Sequence, residues 1–241
     1  MLANGPVRGA PLFRVYRLAP GGFAAMFRFL SLFLPGLLIV PAHATDLPSD
    51  ISSDTTWSLA GSPYMLQTST TIRAGVTVTV EPGVEIIAAG DYRLFVNGTL
   101  SGGDATAPLV LRYTDAAARG AWEGLYVATT GRLRLTNATV ANGVYGVMTA
   151  GGEISLTSCR LSLMSGDAIY AWGPTALTCT GCEFRDCGTG IECLHGNFYA
   201  RNCHFEGSAV VDILSKPEHG CSVRRCTSLN SNWFLVQDNA V

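Results

Sequence analysis

The chain has 241 residues, of which 48% are hydrophobic, only 14% are charged and 27 are glycine. The formal net charge is −2 and the sequence contains no basic run, which argues against nucleic acid and anionic membrane surfaces as partners. Sparse charge with plentiful glycine and β-branched residues favours a fold of many short strands and tight turns, and the length suits one domain.

The first 44 residues are typical of a secretory signal peptide. They hold four arginines and no acidic residue, an apolar stretch of 12 residues at 29–40 and a small-x-small site at 42–44. This order of segments predicts cleavage after Ala44, with Met26 as an alternative start of a shorter signal. An N-terminal membrane anchor is the alternative interpretation. Cleavage would give an exported bacterial protein of net charge −6, located in the periplasm, at the cell surface or in the medium, with no membrane span.

The second half of the chain is an internal repeat. Each block reads apolar, any residue, small or apolar, two turn residues, cysteine or alanine, any residue, apolar. The blocks recur every 21 or 23 residues, at 133–140, 154–161, 177–184, 198–205 and 221–228. A second apolar patch follows the first four blocks, at 144–147, 168–171, 190–193 and 210–213.

The two turn residues of each block predict how the strands close into a coil. The second turn residue is Asn137, Ser158, Gly181 or Asn202, and asparagine and glycine tolerate the left-handed backbone that a sharp bend needs. Three short strands per turn, with side chains alternating inward and outward, would bury one continuous stack.

The repeat therefore predicts an all-β fold, a right-handed single-stranded parallel β-helix of about seven to eight coils of 21–25 residues. Residues 45–75 are expected to form an N-terminal cap and the first coil, and residues 76–241 the β-helix. The last segment, NWFLVQDNAV, stops part-way through a coil and exposes apolar residues. That end is therefore expected to be open or truncated, or covered by another domain or chain.

The region 55–127 resembles the first part of secreted right-handed β-helix repeat proteins of the pectin-lyase-like superfamily. The resemblance rests on Trp57, Ser62-Pro63-Tyr64, Glu81-Pro82-Gly83, Asn97-Gly98-Thr99-Leu100 and Trp122. It implies the β-helix fold over the whole mature chain. It leaves the activity open, because the superfamily includes lyases, hydrolases, epimerases and adhesins.

Four of the eight cysteines share one repeat position and are expected to form a column in the core: Cys159, Cys182, Cys203 and Cys226. Export and an even count favour disulfides. Parallel coils, however, hold Cβ atoms about 4.8 Å apart, which is too far for a disulfide. Buried free thiols are the preferred interpretation. Zinc is disfavoured, because Cys179-x-x-Cys182 has no second ligand pair.

The resemblance also implies a ligand groove along the strand that follows the longest loop, which is the second apolar patch of each coil. Its outward residues are expected to be Tyr126, Tyr145, Tyr170, Glu192 and Asp212. Tyrosines in register suit the C–H faces of sugar rings, and the acids could accept hydroxyl hydrogen bonds or hold Ca²⁺, although no cofactor is otherwise expected.

Two enzyme mechanisms remain as alternatives. A glycosidase needs two carboxylates about 5–9.5 Å apart, and Glu192 and Asp212 could meet the lower limit. A lyase needs a basic residue, yet neither arginine nor lysine is expected on this row. The hydrolase signatures of the superfamily are also incomplete, since Leu194-His195-Gly196 and Glu218-His219-Gly220 occur without an Asp-Asp pair. The sequence thus favours binding of an extracellular carbohydrate or other ligand without catalysis, over a polysaccharide lyase or hydrolase and over a structural or adhesin fragment.

Overall fold

The computed structural model describes residues 44–216 and 220–237. They fold as a parallel β-helix in which three sheets run along the stack, two of nine strands and one of eight. The expected signal peptide and the alternative start at Met26 lie outside the described residues, apart from Ala44. Within the described part of the chain, no helix is long and apolar enough to cross a membrane.

Each of the first eight coils contributes one short strand to each sheet, the ninth contributes described strands to sheets 1 and 2, and the strand pairings are parallel. Sheet 1 contains Thr45–Asp46, Tyr64–Leu66, Glu85–Ala88, Leu109–Tyr113, Ala138–Ala141, Arg160–Ser162, Glu183–Arg185, His204–Glu206 and Thr227–Leu229. Sheet 2 contains Asp50–Ile51, Thr70–Ile72, Arg93–Val96, Gly124–Val127, Val147–Thr149, Asp167–Ala171, Thr189–Cys193, Val211–Ser215 and Leu235–Gln237. Sheet 3 contains Thr55–Trp57, Thr77–Val80, Thr99–Gly102, Arg132–Thr136, Glu153–Thr157, Thr175–Thr180, Gly196–Arg201 and Cys221–Arg224. A 3-10 turn, Leu59–Gly61, connects the first coil to the second.

The all-β parallel β-helix predicted from the repeat is confirmed, although the number of coils differs slightly from the expected seven to eight. The stack has about nine coils, because residues 45–75 already add strands to all three sheets. Thr45 pairs with Tyr64 in sheet 1, and Thr55 pairs with Val78 in sheet 3. Among the described residues, the stack therefore begins at Thr45, ahead of residue 76, where the β-helix was expected to begin.

The bend between sheets 3 and 1 has the left-handed backbone that the sequence predicted. Its second residue has a φ of 49° at Asn137, 53° at Ser158, 64° at Gly181 and 54° at Asn202. Arg225 occupies the same position in the last coil with a φ of 53°. A left-handed residue at each of these bends turns the chain sharply. The alternation of inward and outward side chains shifts by one residue there, so apolar side chains of the next strand again point into the core.

The interior is one continuous apolar stack that extends through the coils. Inward positions repeat from coil to coil, so like residues meet: the rings of Phe184 and Phe205 stack with centroids 4.7 Å apart. This regular core holds the outward residues of each sheet at fixed spacing, about 4.8 Å from one coil to the next.

The cysteine column lies in this interior. Cys159, Cys182 and Cys203 are buried, whereas Cys226 in the last coil is partly exposed. The eight cysteines are free thiols in the structure. Each buried member of the column donates to a carbonyl of the preceding coil; the Cys159 Sγ, for example, lies 3.4 Å from the oxygen of Leu135.

Candidate functional site

The outward face of sheet 2 contains a row of residues in strict register. Tyr126 pairs with Met148, Met148 with Tyr170, and Tyr170 with Glu192. Phe95 precedes Tyr126 in this row, and Leu214 follows Glu192. The flanking residues of each strand, such as Ile169 and Ala171 beside Tyr170, are fully buried and fix the outward direction of the row.

Tyr145 is not a member of this row, contrary to expectation. The strand of its coil begins at Val147, which pairs with Ile169 in the interior, so Met148 takes the outward position. Tyr145 lies just before the strand. Its ring nevertheless stacks on Tyr170, with centroids 5.8 Å apart and planes inclined by 22°.

The expected outward position of Asp212 is also wrong, because its side chain is fully buried. Ile213 pairs with Ile191, which makes Leu214 the outward residue of that coil. The residue before the inward isoleucine also faces the core in these coils: a Cβ placed on Gly190, the equivalent of Asp212, would lie 2.7 Å from a ring carbon of the buried Phe205. Asp212 consequently cannot meet Glu192 on the surface.

Trp172 is a member of the site that the sequence analysis missed. Its ring lies 5.2 Å from that of Tyr170 and 5.9 Å from that of Tyr126, between centroids, and so bridges the two tyrosines. Because Ile169 and Ala171 face inward, the alternation of inward and outward side chains predicts that the next residue, Trp172, faces outward. The rings of Phe95 and Tyr126 are 5.6 Å apart. We call this continuous set the aromatic strip, and its members are Phe95, Tyr126, Tyr145, Tyr170 and Trp172.

A basic residue adjoins the strip, although none was expected there. The guanidinium carbon of Arg93 lies 5.6 Å from the centroid of Phe95 and 5.9 Å from that of Tyr126. The same guanidinium forms an ion pair with Glu123. Contacts of this kind hold the cation against the ring faces, and the neighbouring carboxylate neutralises its charge.

The opposite end of the strip carries two acids, Asp167 and Glu192. Burial of Asp167, together with the repulsion from Glu192 and a hydrogen bond shared with it, raises the pKa of the Asp167 carboxyl to about 6. Burial and the charge of Glu192 also raise the pKa of the Tyr170 phenol. Because two carboxylates in contact repel each other, one of them retains its proton to a higher pH. Sequence analysis identified Glu192 but not its partner.

The arrangement places a series of aromatic rings, with neighbouring planes inclined by 22° to 64°, between two polar ends, one with a paired arginine and one with two carboxyl groups. Among the described residues, no three histidine, cysteine or acidic side chains come together as metal ligands. The geometry is therefore suited to contact with an extended ligand that has both apolar faces and hydroxyl groups.

Comparison with known proteins supports the fold. Residues 123–240 match the family model described as "Right handed beta helix region". No curated protein matches the chain, and no solved structure matches it either. The family match over residues 123–240 agrees with the parallel coils of the structure, and both show the β-helix fold.

Proposed function

We propose that this protein binds carbohydrate along the aromatic strip and does so without catalysis. The observation that supports this proposal most directly is the continuity of the strip. Trp172 lies between Tyr126 and Tyr170, with ring centroids 5.9 and 5.2 Å away. Sugar rings present apolar C–H faces that pack on aromatic surfaces, and successive coils repeat at about 4.8 Å, so an extended chain of sugars can contact several rings.

The polar groups at both ends supply hydrogen bonds to sugar hydroxyls. Glu192 follows Tyr170 in register, so its carboxylate is placed to accept hydrogen bonds beside the stacked rings. Arg93 donates at the other end while Glu123 balances its charge. A few oriented polar groups around an apolar surface are typical of sites that select a ligand by its hydroxyl pattern.

The charge of the site favours a neutral glycan over a uronate polymer. Asp167 and Glu192 together repel a carboxylated sugar, and the adjacent arginine is already paired. We therefore expect tighter binding of neutral oligosaccharides than of oligogalacturonates at neutral pH.

A polysaccharide-degrading enzyme is the second candidate, and the raised pKa of Asp167 is the observation that favours it. A carboxyl group that keeps its proton near neutral pH can act as a general acid. Glycosidases, however, hold their two carboxyl groups at least about 5 Å apart to admit the sugar or a water. The carboxylate that was expected to face Glu192, Asp212, is fully buried, so we favour binding.

Export to the periplasm, the cell surface or the medium is part of the proposal and rests on the N-terminal sequence. N-terminal sequencing of the exported protein should find Thr45 as its first residue. Retention of Met1 or Met26 would contradict export by cleavage after Ala44.

The function itself is tested by calorimetric titration of the protein with neutral and uronate oligosaccharides, while new double bonds and reducing ends are followed in the same samples. The expected result is that a neutral glycan binds and that neither new double bonds nor new reducing ends form. Turnover of any polymer would favour the enzyme, and the absence of binding across the panel would contradict the proposal.

A further inference from the structure

Most arginines on the outer surface of the β-helix are paired with carboxylates. Within the described residues the pairs include Arg73 with Asp50, Arg132 and Arg134 with Glu153, and Arg160 with Glu183. No carboxylate in the described part of the chain forms an ion pair with Arg119, Arg201, Arg224 or Arg225. Arg119 instead donates hydrogen bonds to the carbonyl oxygens of Met164 and Asp186, which leaves the other three arginines as a separate group. Arg201 and Arg224 end the last two described strands of sheet 3, and Arg225 lies at the bend that follows.

At the positions of these three arginines, the preceding coils have uncharged residues. Arg201 pairs directly with Arg224, whereas the equivalent residues of the preceding coils are the neutral Thr136, Thr157 and Thr180. Like charges opposite each other in a sheet destabilise it. Arg225 stands at the left-handed bend, with a φ of 53°, where the other coils have asparagine, serine or glycine. Folding alone therefore gives no reason for three arginines here.

The three arginines surround an open depression of about 480 Å³. Its other lining residues are Tyr199, Ala200 and Ser222. Tyr199 is 48% exposed to solvent, although a large aromatic side chain is usually buried against other groups. An exposed ring beside unpaired guanidinium groups provides both a stacking face and donors for oxyanions.

We propose that this depression binds a saccharide that carries sulfate or phosphate esters. Guanidinium groups bind such oxyanions through paired, parallel hydrogen bonds, and the Tyr199 ring can pack against the sugar. The cationic surface spans only two coils on a chain of negative net charge, which favours a compact anionic ligand over an extended nucleic acid. The site lies on sheet 3, whereas the aromatic strip lies on sheet 2, so the two sites are separate.

Calorimetric titration at low ionic strength with sucrose octasulfate, glucose 6-phosphate, inorganic sulfate and a single-stranded oligothymidylate tests this site. We expect at least one of the two saccharides to bind, and the double variant Arg201→Gln/Arg224→Gln to weaken that binding at least tenfold. Arg132→Gln is the matched control, because it removes an exposed cation from the same sheet while Arg134 still pairs with Glu153. It should change the affinity less than twofold.

Tyr199→Ala separates stacking from charge. It should weaken saccharide binding several-fold and leave the weak binding of inorganic sulfate unchanged. Thermal unfolding of each variant confirms that the fold is intact. The proposal is overturned if neither saccharide ester binds, if the double variant binds as tightly as the control, if inorganic sulfate binds as tightly as the saccharide, or if the oligothymidylate binds more tightly than both.

Discussion

Tyr170 and Glu192 are paired in register on successive coils of sheet 2. An aromatic ring and a carboxylate therefore share one outward column, and the aromatic strip ends at an acidic pair. Glu192 also interacts with Asp167, whose strand contains Tyr170. This relationship connects the stacking surface to a titratable group, and it makes the site sensitive to pH.

The acidic pair predicts that Asp167 contributes to the stability of the fold and that this contribution is lost as the pH rises from about 4 to about 6. The pKa of Asp167 is raised from its usual value of about 4 to about 6 in the folded protein, so the unfolded chain releases this proton first. The stabilisation is complete below the unfolded pKa and is lost above the folded one. Asp167→Asn should remove this pH dependence and stabilise the protein by about 1 kcal/mol at pH 7, after allowance for solvent screening.

Urea unfolding at a series of pH values measures this effect. Asp91→Asn is the control, because Asp91 is exposed and should leave the slope unchanged. An Asp167→Asn variant with the same slope as wild type would show that the two carboxyl groups do not interact.

Asp212 is predicted to lower the stability of the β-helix. It is fully buried, and neither carboxylate oxygen has a hydrogen-bond partner in the described structure. The equivalent residues Ala168 and Gly190 are small, so alanine fits this column. Asp212→Ala should therefore raise the free energy of unfolding by about 1–3 kcal/mol, measured by denaturant titration. A loss of stability would instead show that the carboxylate has a partner in solution.

The cysteines should react with alkylating reagents in two groups. Cys221 and Cys226 are partly exposed and should react first in the folded protein, whereas the six buried thiols should resist. Burial raises the pKa of Cys187 and of Cys193 to about 11, which suppresses the reactive thiolate. After denaturation without reductant, mass spectrometry should find all eight cysteines alkylated. Fewer than eight would indicate disulfides.

The sequence predicts the coil because its bends and inward positions repeat. Asn137 and Gly181 mark left-handed bends by residue type, and alternation places Tyr170 and Glu192 outward. Alternation could not predict that Asp212 is buried. Its burial depends on the register between coils, and on two consecutive residues, Asp212 and Ile213, both facing the core. The same limit applies to Asp167, which meets Glu192 only once neighbouring coils are aligned.

Trp172 and the arginine group illustrate a different limit. Trp172 continues the alternation of its strand but follows the apolar patch by which the repeat was recognised. Arg201 and Arg224 are unremarkable in their own blocks and become conspicuous only when they are stacked on the threonine column. The register between distant coils, which the alternation within one strand does not reveal, therefore decides which surface residues form a site.

The central claim, that the aromatic strip binds carbohydrate, is tested most directly by comparing Trp172→Ala with Trp233→Ala. Trp172 bridges Tyr126 and Tyr170, whereas Trp233 is 67% exposed and lies outside the strip. Calorimetric titration with the neutral oligosaccharide that binds wild type most tightly should show about tenfold weaker binding for Trp172→Ala, a loss of about 1.4 kcal/mol, and unchanged binding for Trp233→Ala. Equal affinity of both variants and wild type, with thermal unfolding unchanged, would contradict the claim.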